Sequence, residues 1–107
     1  MHNLTVTTHQ HTDRTVLTVA GEMDLASCPA LKEATLVIPL DGKTLHLEMS
    51  GVSFMDSSGL NLLIKLRRRL VAEGGQLLVT GLQHQPASVL RLTGADALLT
   101  PDVARAA

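Results

Sequence analysis

The sequence predicts an α/β domain built on a mixed sheet of four to five strands, with helices mainly on one face. Three observations predict it. From Thr15 onward strand-like and helix-like segments alternate, which calls for right-handed crossovers and largely parallel neighbours. The one departure is an extra strand-like segment at the N-terminus, which therefore joins antiparallel at one side. Only four segments carry strand character, too few to require helices on both faces.

The first two strands are Leu4–Thr8 and Thr15–Ala20, both rich in Val, Thr and Leu and separated by the polar stretch His9–Arg14. Gly21 is expected to close the second. Asp24 and Ser27 offer N-cap oxygens, Pro29 suits a first helical turn, and Leu31 and Ala34 share a face, so a helix is expected over about Cys28–Leu36. Pro39, Asp41 and Gly42 break the chain before the third strand, Thr44–Met49, where Leu45, Leu47 and Met49 alternate with His46 and Glu48.

The segment from Ser58 to about Glu73 is the most regular. Gly59, Leu62, Leu63, Leu66 and Leu70 fall on one side of a 3.6-residue helix, and Asn61, Lys65, Arg68, Arg69 and Ala72 fall on the other. Gly74-Gly75 supplies its stop. Gln76–Thr80 reads as the fourth strand. Pro86 then opens a third helix with Val89, Leu90 and Thr93 inward and Gly94 as its end, followed by a short C-terminal piece.

The 107 residues are 45% hydrophobic and 18% charged, with nine Lys and Arg against ten Asp and Glu. That is the composition of one globular domain over 1–107, folding without disulfides or metal. A formal charge of -1 gives no general attraction to nucleic acid or anionic lipid. Phe54 is the lone aromatic residue, so the stacking platforms of single-strand nucleic-acid binders are missing. No apolar run approaches the roughly 18 residues of a membrane span. A single cysteine, Cys28, and a polar N-terminus without a signal-peptide core make the cytoplasm the expected compartment.

One segment carries chemistry. Met49–Leu60 joins the third strand to the long helix and places Asp56, Ser57 and Ser58 at a helix N-terminus. Unpaired N–H groups and a partial positive potential there can hold an anion, including a phosphate on the chain's own serine. Asp56 or Ser57 can equally cap the helix, and the two roles are compatible.

Phe54-Met55-Asp56-Ser57-Ser58-Gly59-Leu60 resembles the signature of STAS-domain anti-sigma factor antagonists, in which the second serine of Asp-Ser-Ser-Gly is the phosphorylation site. Gly21-Glu22-Met23-Asp24 resembles the second signature of that family, and Leu90-Arg91-Leu92-Thr93-Gly94 its late helix. The resemblance implies a STAS-type fold and a partner switch. The unphosphorylated protein would bind a serine-kinase anti-sigma factor and release the sigma factor, and phosphorylation of Ser58 would block that binding. It further implies that Asp24 lies near the phosphoryl site, that Asp56 orients the serine with Ser57 and Gly59 around it, and that a serine phosphatase resets the switch. No cofactor, metal, direct nucleic-acid contact or membrane insertion is implied, and no enzymatic activity. The other reading in the family is an unphosphorylated adaptor subunit of a transporter or sensory complex.

Leu60, Ile64, Arg67 and Val71 form a ridge beside the core-facing stripe, and this is the expected partner-binding surface, although it could instead widen the buried face. Arg67-Arg68-Arg69 spreads over about 200° of helix and reads as a solvated face. His9 and His11 lack a completing ligand spacing for a metal, and Cys28 has no evident catalytic partner. Ser57 and Ser58 lie outside a Gly-x-Ser-x-Gly elbow, and the chain has no Gly-x-x-x-x-Gly-Lys-Ser/Thr loop.

Overall fold

A computed structural model of the chain describes residues 4–38 and 43–96. Its elements are β1 (Leu4–Gln10), β2 (Arg14–Met23), α1 (Cys28–Leu36), β3 (Thr44–Met55), α2 (Ser57–Ala72), β4 (Gln76–Thr80) and α3 (His84–Thr93). Pro39, Asp41, Gly42 and the C-terminal segment from residue 97 onward lie outside the described residues.

The four strands stand in the order β1-β2-β3-β4. β1 pairs antiparallel with β2, whereas β2–β3 and β3–β4 are parallel and joined by α1 and α2 as crossovers. One face of the sheet is dry: Leu17, Val19, Leu45, Leu47, Met49, Leu77 and Val79 are all buried, as the period-2 alternation requires. The helices close that face through Leu31, Leu63, Leu66, Leu70 and Leu90, giving one continuous core among the described residues. The mixed sheet with helices over one face is thus the expected architecture.

Three strands run further than their side chains suggest. β1 and β2 extend to a tighter turn at residues 11–13, where His11 N–H donates to the Arg14 carbonyl at 2.8 Å. β2 continues past Gly21 to Met23, and β3 past Gly51 to Met55, because the two strands keep pairing across register shifts between Thr18 and Ala20 and between Gly21 and Glu22. Glycines that look like strand ends are bulge positions inside a parallel ladder. α3 starts two residues before Pro86, and Thr93 is exposed rather than inward, its hydroxyl donating to the Val89 carbonyl at 2.6 Å. The helix stops are as expected: Gly74 has φ +79°, and Gly74 and Gly75 N–H groups return to the Val71 and Leu70 carbonyls.

On the uncovered face, His46 Nε2 lies 2.7 Å from Thr80 Oγ1, and Glu48 accepts from the Ser50 hydroxyl and from Thr80 Oγ1 at 3.3 Å. Partial burial, then Arg14, pushes the His46 pKa down; the Ser50 hydroxyl chiefly holds that of Glu48 down. A histidine with a depressed folded pKa binds fewer protons folded than unfolded, so its contribution is lost as pH drops below about 6.5. The Glu48 contribution follows below about 4.3. Urea midpoints are therefore expected to decline from pH 7 to pH 5, and His46→Gln should flatten the upper part of that decline.

Candidate functional site

The site grows from the carboxyl ends of two parallel strands. Met23 of β2 pairs with Met55 of β3, so the next residues, Asp24 and Asp56, emerge side by side. This is the edge of a parallel sheet where ligands and partners commonly meet an α/β fold. Asp56 N–H donates to the Met23 carbonyl at 3.1 Å, tying the exit of β3 to the exit of β2. The Gln85 side chain from α3 holds the same point from the other side: its Oε1 accepts from Met55 N–H at 2.7 Å and its Nε2 donates to the Met55 carbonyl at 3.0 Å.

Asp56 is the N-cap of α2, in an extended conformation, and its Oδ1 accepts from Ser58 N–H at 2.8 Å and Gly59 N–H at 3.4 Å. The capping role is therefore the one the structure displays, and the N–H groups of Ser58 and Gly59 are already engaged. Gly59 sits where a side chain would not fit: a Cβ there would lie 2.5 Å from Met55 Cγ and 3.1 Å from Met23 Cβ. Replacing Asp56 with alanine is expected to cost about 1 kcal/mol, read as a lower melting temperature in calorimetry, while Asp56→Asn keeps most of the cap.

Asp24 does not cap α1 directly. Its Oδ1 accepts from Ser27 N–H at 2.9 Å while its own N–H donates to Ser27 Oγ at 3.0 Å, and the Cys28 N–H donates to the Asp24 carbonyl at 2.9 Å. Ser27 is the N-cap, with no side-chain cap bond, and Pro29 occupies the first turn. The Cys28 thiol pKa is raised by burial and then by the charges of Asp56 and Asp24.

Ser58 is half-buried and lines a groove of about 400 Å³ between α1 and α2. Cys28, Lys32 and Leu36 form part of the α1 wall; Ser58, Asn61, Lys65 and Arg69 form part of the α2 wall. Ser58 thus borders an open cleft, with Lys32, Lys65 and Arg69 further along it. Such an arrangement can present a serine to another protein's active site; among the described residues no cluster of three His, Cys, Asp or Glu could hold a metal.

The structure sets Ser58 on the groove wall and Asp24 and Asp56 at the adjoining strand exits, with Ser57 exposed as the first residue of α2 and Gly59 buried beneath it. It does not leave the expected ridge open. Leu60 is 8% exposed and belongs to the core, and Ile64 is half-buried against it. Arg67 is half-buried and engaged with other groups; only Val71 is well exposed. The buried stripe of α2 is wider than its leucine spacing suggests, and Leu60 and Ser58 lie on opposite flanks of it, about 200° apart. Arg69, expected in water, donates to the Thr35 carbonyl of α1 at 3.0 Å and pairs with Glu73 at 3.7 Å. The sequence reading missed Gln85 and Lys32. Neither carries a local signal: Gln85 acts across a tertiary contact, and Lys32 lines a groove that only the folded chain forms.

The family model described as "Mlab, STAS domain" matches residues 6–100. An anti-sigma-B factor antagonist of Bacillus subtilis is 28% identical over 92 residues, covering 86% of this chain and 84% of the relative. One from Listeria monocytogenes is 32% identical over 84 residues, covering 78% and 74%. The crystal structure of an anti-sigma factor antagonist from Mycobacterium paratuberculosis superposes with a TM-score of 0.78 at 29% identity, covering 89% of this chain and 81% of the other. The alternation of strands and helices, the doubly tied loop ahead of α2 and this match over most of its length have one reading: the chain belongs to the STAS domain family.

Proposed function

We propose that the protein is an anti-sigma factor antagonist, acting in the cytoplasm as a binding module and switched at Ser58. In its unphosphorylated form it docks on a serine-kinase anti-sigma factor and frees the sigma factor; the kinase phosphorylates Ser58 and is released, and a serine phosphatase restores the hydroxyl. The observation that carries this reading is the setting of Ser58: half-buried, on the wall of an open groove, in the first turn of α2, whose entry is fixed by Asp56 and Gln85. The names of the relatives support the anti-sigma factor as partner. Asp24, Asp56, Ser57 and Gly59 shape the phosphosite. Ile64 and Arg67 contribute to the outer part of the docking surface, whereas Leu60 is buried in the core and does not.

The test mixes the protein with the candidate kinase encoded nearest to it, adds ATP, and maps phosphate by mass spectrometry. Modification of the wild type at Ser58, and none of Ser58→Ala, is the expected result. Stable binding without any phosphate on Ser58 would instead support an unphosphorylated adaptor, and phosphate at another residue would move the switch.

A further inference from the structure

The geometry points to the groove between α1 and α2 as a binding site for an anionic amphiphile, an unbranched apolar chain of medium length ending in a carboxylate or phosphate. Its volume of about 400 Å³ falls within the range of small-molecule sites, about 300–1,000 Å³. Cys28, Pro29, Leu62 and Leu66 give it an apolar lining. Leu25, before α1, and Leu36, at its end, also line the groove yet are 78% and 62% exposed, so apolar surface is left open at both ends. The groove follows the nine residues of α1, about 14 Å of helix, and is long rather than round.

Its charge is one-sided. Lys32 on α1 and Lys65 and Arg69 on α2 line it, and no acidic residue does. Arg69 is held by Thr35 and Glu73, but among the described residues neither lysine side chain has an ion pair or hydrogen bond. Both lysines are exposed, one on each wall, so an anion in the groove meets complementary charge from either side. Asp56, whose carboxylate accepts the Ser58 N–H, and Asp24, which with it opposes negative charge on Cys28, disfavour an anion at the Ser58 end. The head group therefore belongs toward Lys32, Lys65 and Arg69, and the tail toward Leu62, Cys28 and Leu25. A nucleotide fits less well, because no aromatic side chain lines the groove to stack on a base and a wholly polar ligand leaves the apolar lining uncovered.

The test needs neither kinase nor ATP, so its outcome is independent of the Ser58 switch. Octanoate, decanoate and dodecanoate, each below its micellar concentration, are titrated into the full-length protein by calorimetry, with amide chemical shifts locating the site. One-to-one binding is expected, tightening by about fourfold for each added methylene until the groove is filled. Decanol should bind at least about tenfold more weakly than decanoate, and Lys32→Glu with Lys65→Glu should erase that difference without changing the melting temperature. Absence of saturable binding, shifts confined to other surfaces, or decanoate affinity indifferent to the lysine substitutions would overturn the site. Lysine-dependent binding of an acidic amphipathic helical peptide, with none of the carboxylates, would overturn it too and give the groove to a protein partner.

Discussion

Ser58→Asp is expected to weaken binding to the anti-sigma factor more than a hundredfold, with Ser58→Ala staying within a few fold of the wild type. The asymmetry follows from how the start of α2 is already satisfied. Asp56 occupies the N–H groups of Ser58 and Gly59, so a new carboxylate at position 58 does not have those two helix-end donors and must be carried at the docked surface. Asp56 itself lies against Ser58 through that cap, adding like charge. A desolvated, unpaired charge at an interface costs about 2–5 kcal/mol, and about 3 kcal/mol already exceeds a hundredfold in Kd. A phosphate, with about -1.5 to -2 charge, meets the same costs more strongly. Losing the Ser58 hydroxyl leaves the Asp56 cap intact, so Ser58→Ala should fold normally. Titration of the three proteins with the kinase decides the matter: equal affinities would remove the switch.

Gly59→Ala is expected to destabilise the fold by about 1–3 kcal/mol and to disturb the site at the same time. The added methyl meets Met55 Cγ at 2.5 Å, Met23 Cβ at 3.1 Å and the Met23 carbonyl at 3.3 Å. The Met55 side chain can turn aside; Met23 Cβ and the carbonyl that receives the Asp56 N–H cannot do so without moving the end of β2. In a domain of this size each kcal/mol lowers the melting temperature by about 4–8 °C. Gly74→Ala separates space from backbone conformation: nothing lies within 4 Å of its Cβ, but φ is +79°, so it should lose stability without losing partner binding. A Gly59→Ala protein with an unchanged melting temperature would show that the strand ends yield more easily than their hydrogen bonds suggest.

What could be read from the chain follows the range of the forces involved. The bounds of α1 and the inward leucines of α2 depend on local periodicity and turn chemistry, and both emerged where expected. Asp56-Ser57-Ser58-Gly59 was legible because capping is decided within three residues. The extensions of β2 and β3 were not, since Gly21 and Gly51 look like strand ends and only pairing between strands far apart in sequence keeps them extended. Leu60 was misplaced for a related reason: its spacing sets it at the edge of the apolar stripe, and whether an edge is covered depends on the neighbouring elements. The groove lay beyond sequence reasoning altogether, because it exists only once Lys32 and Lys65 stand on parallel helices.

The grip of Gln85 on Met55 has a practical consequence. The segment bearing Ser58 is moored to a helix 30 residues downstream in sequence, so a strain applied to α3 reaches that segment without touching it. Reporter proteins or affinity tags joined beyond α3 would tug on this mooring. Attached ahead of β1, on the outer strand of the sheet, they would leave it slack.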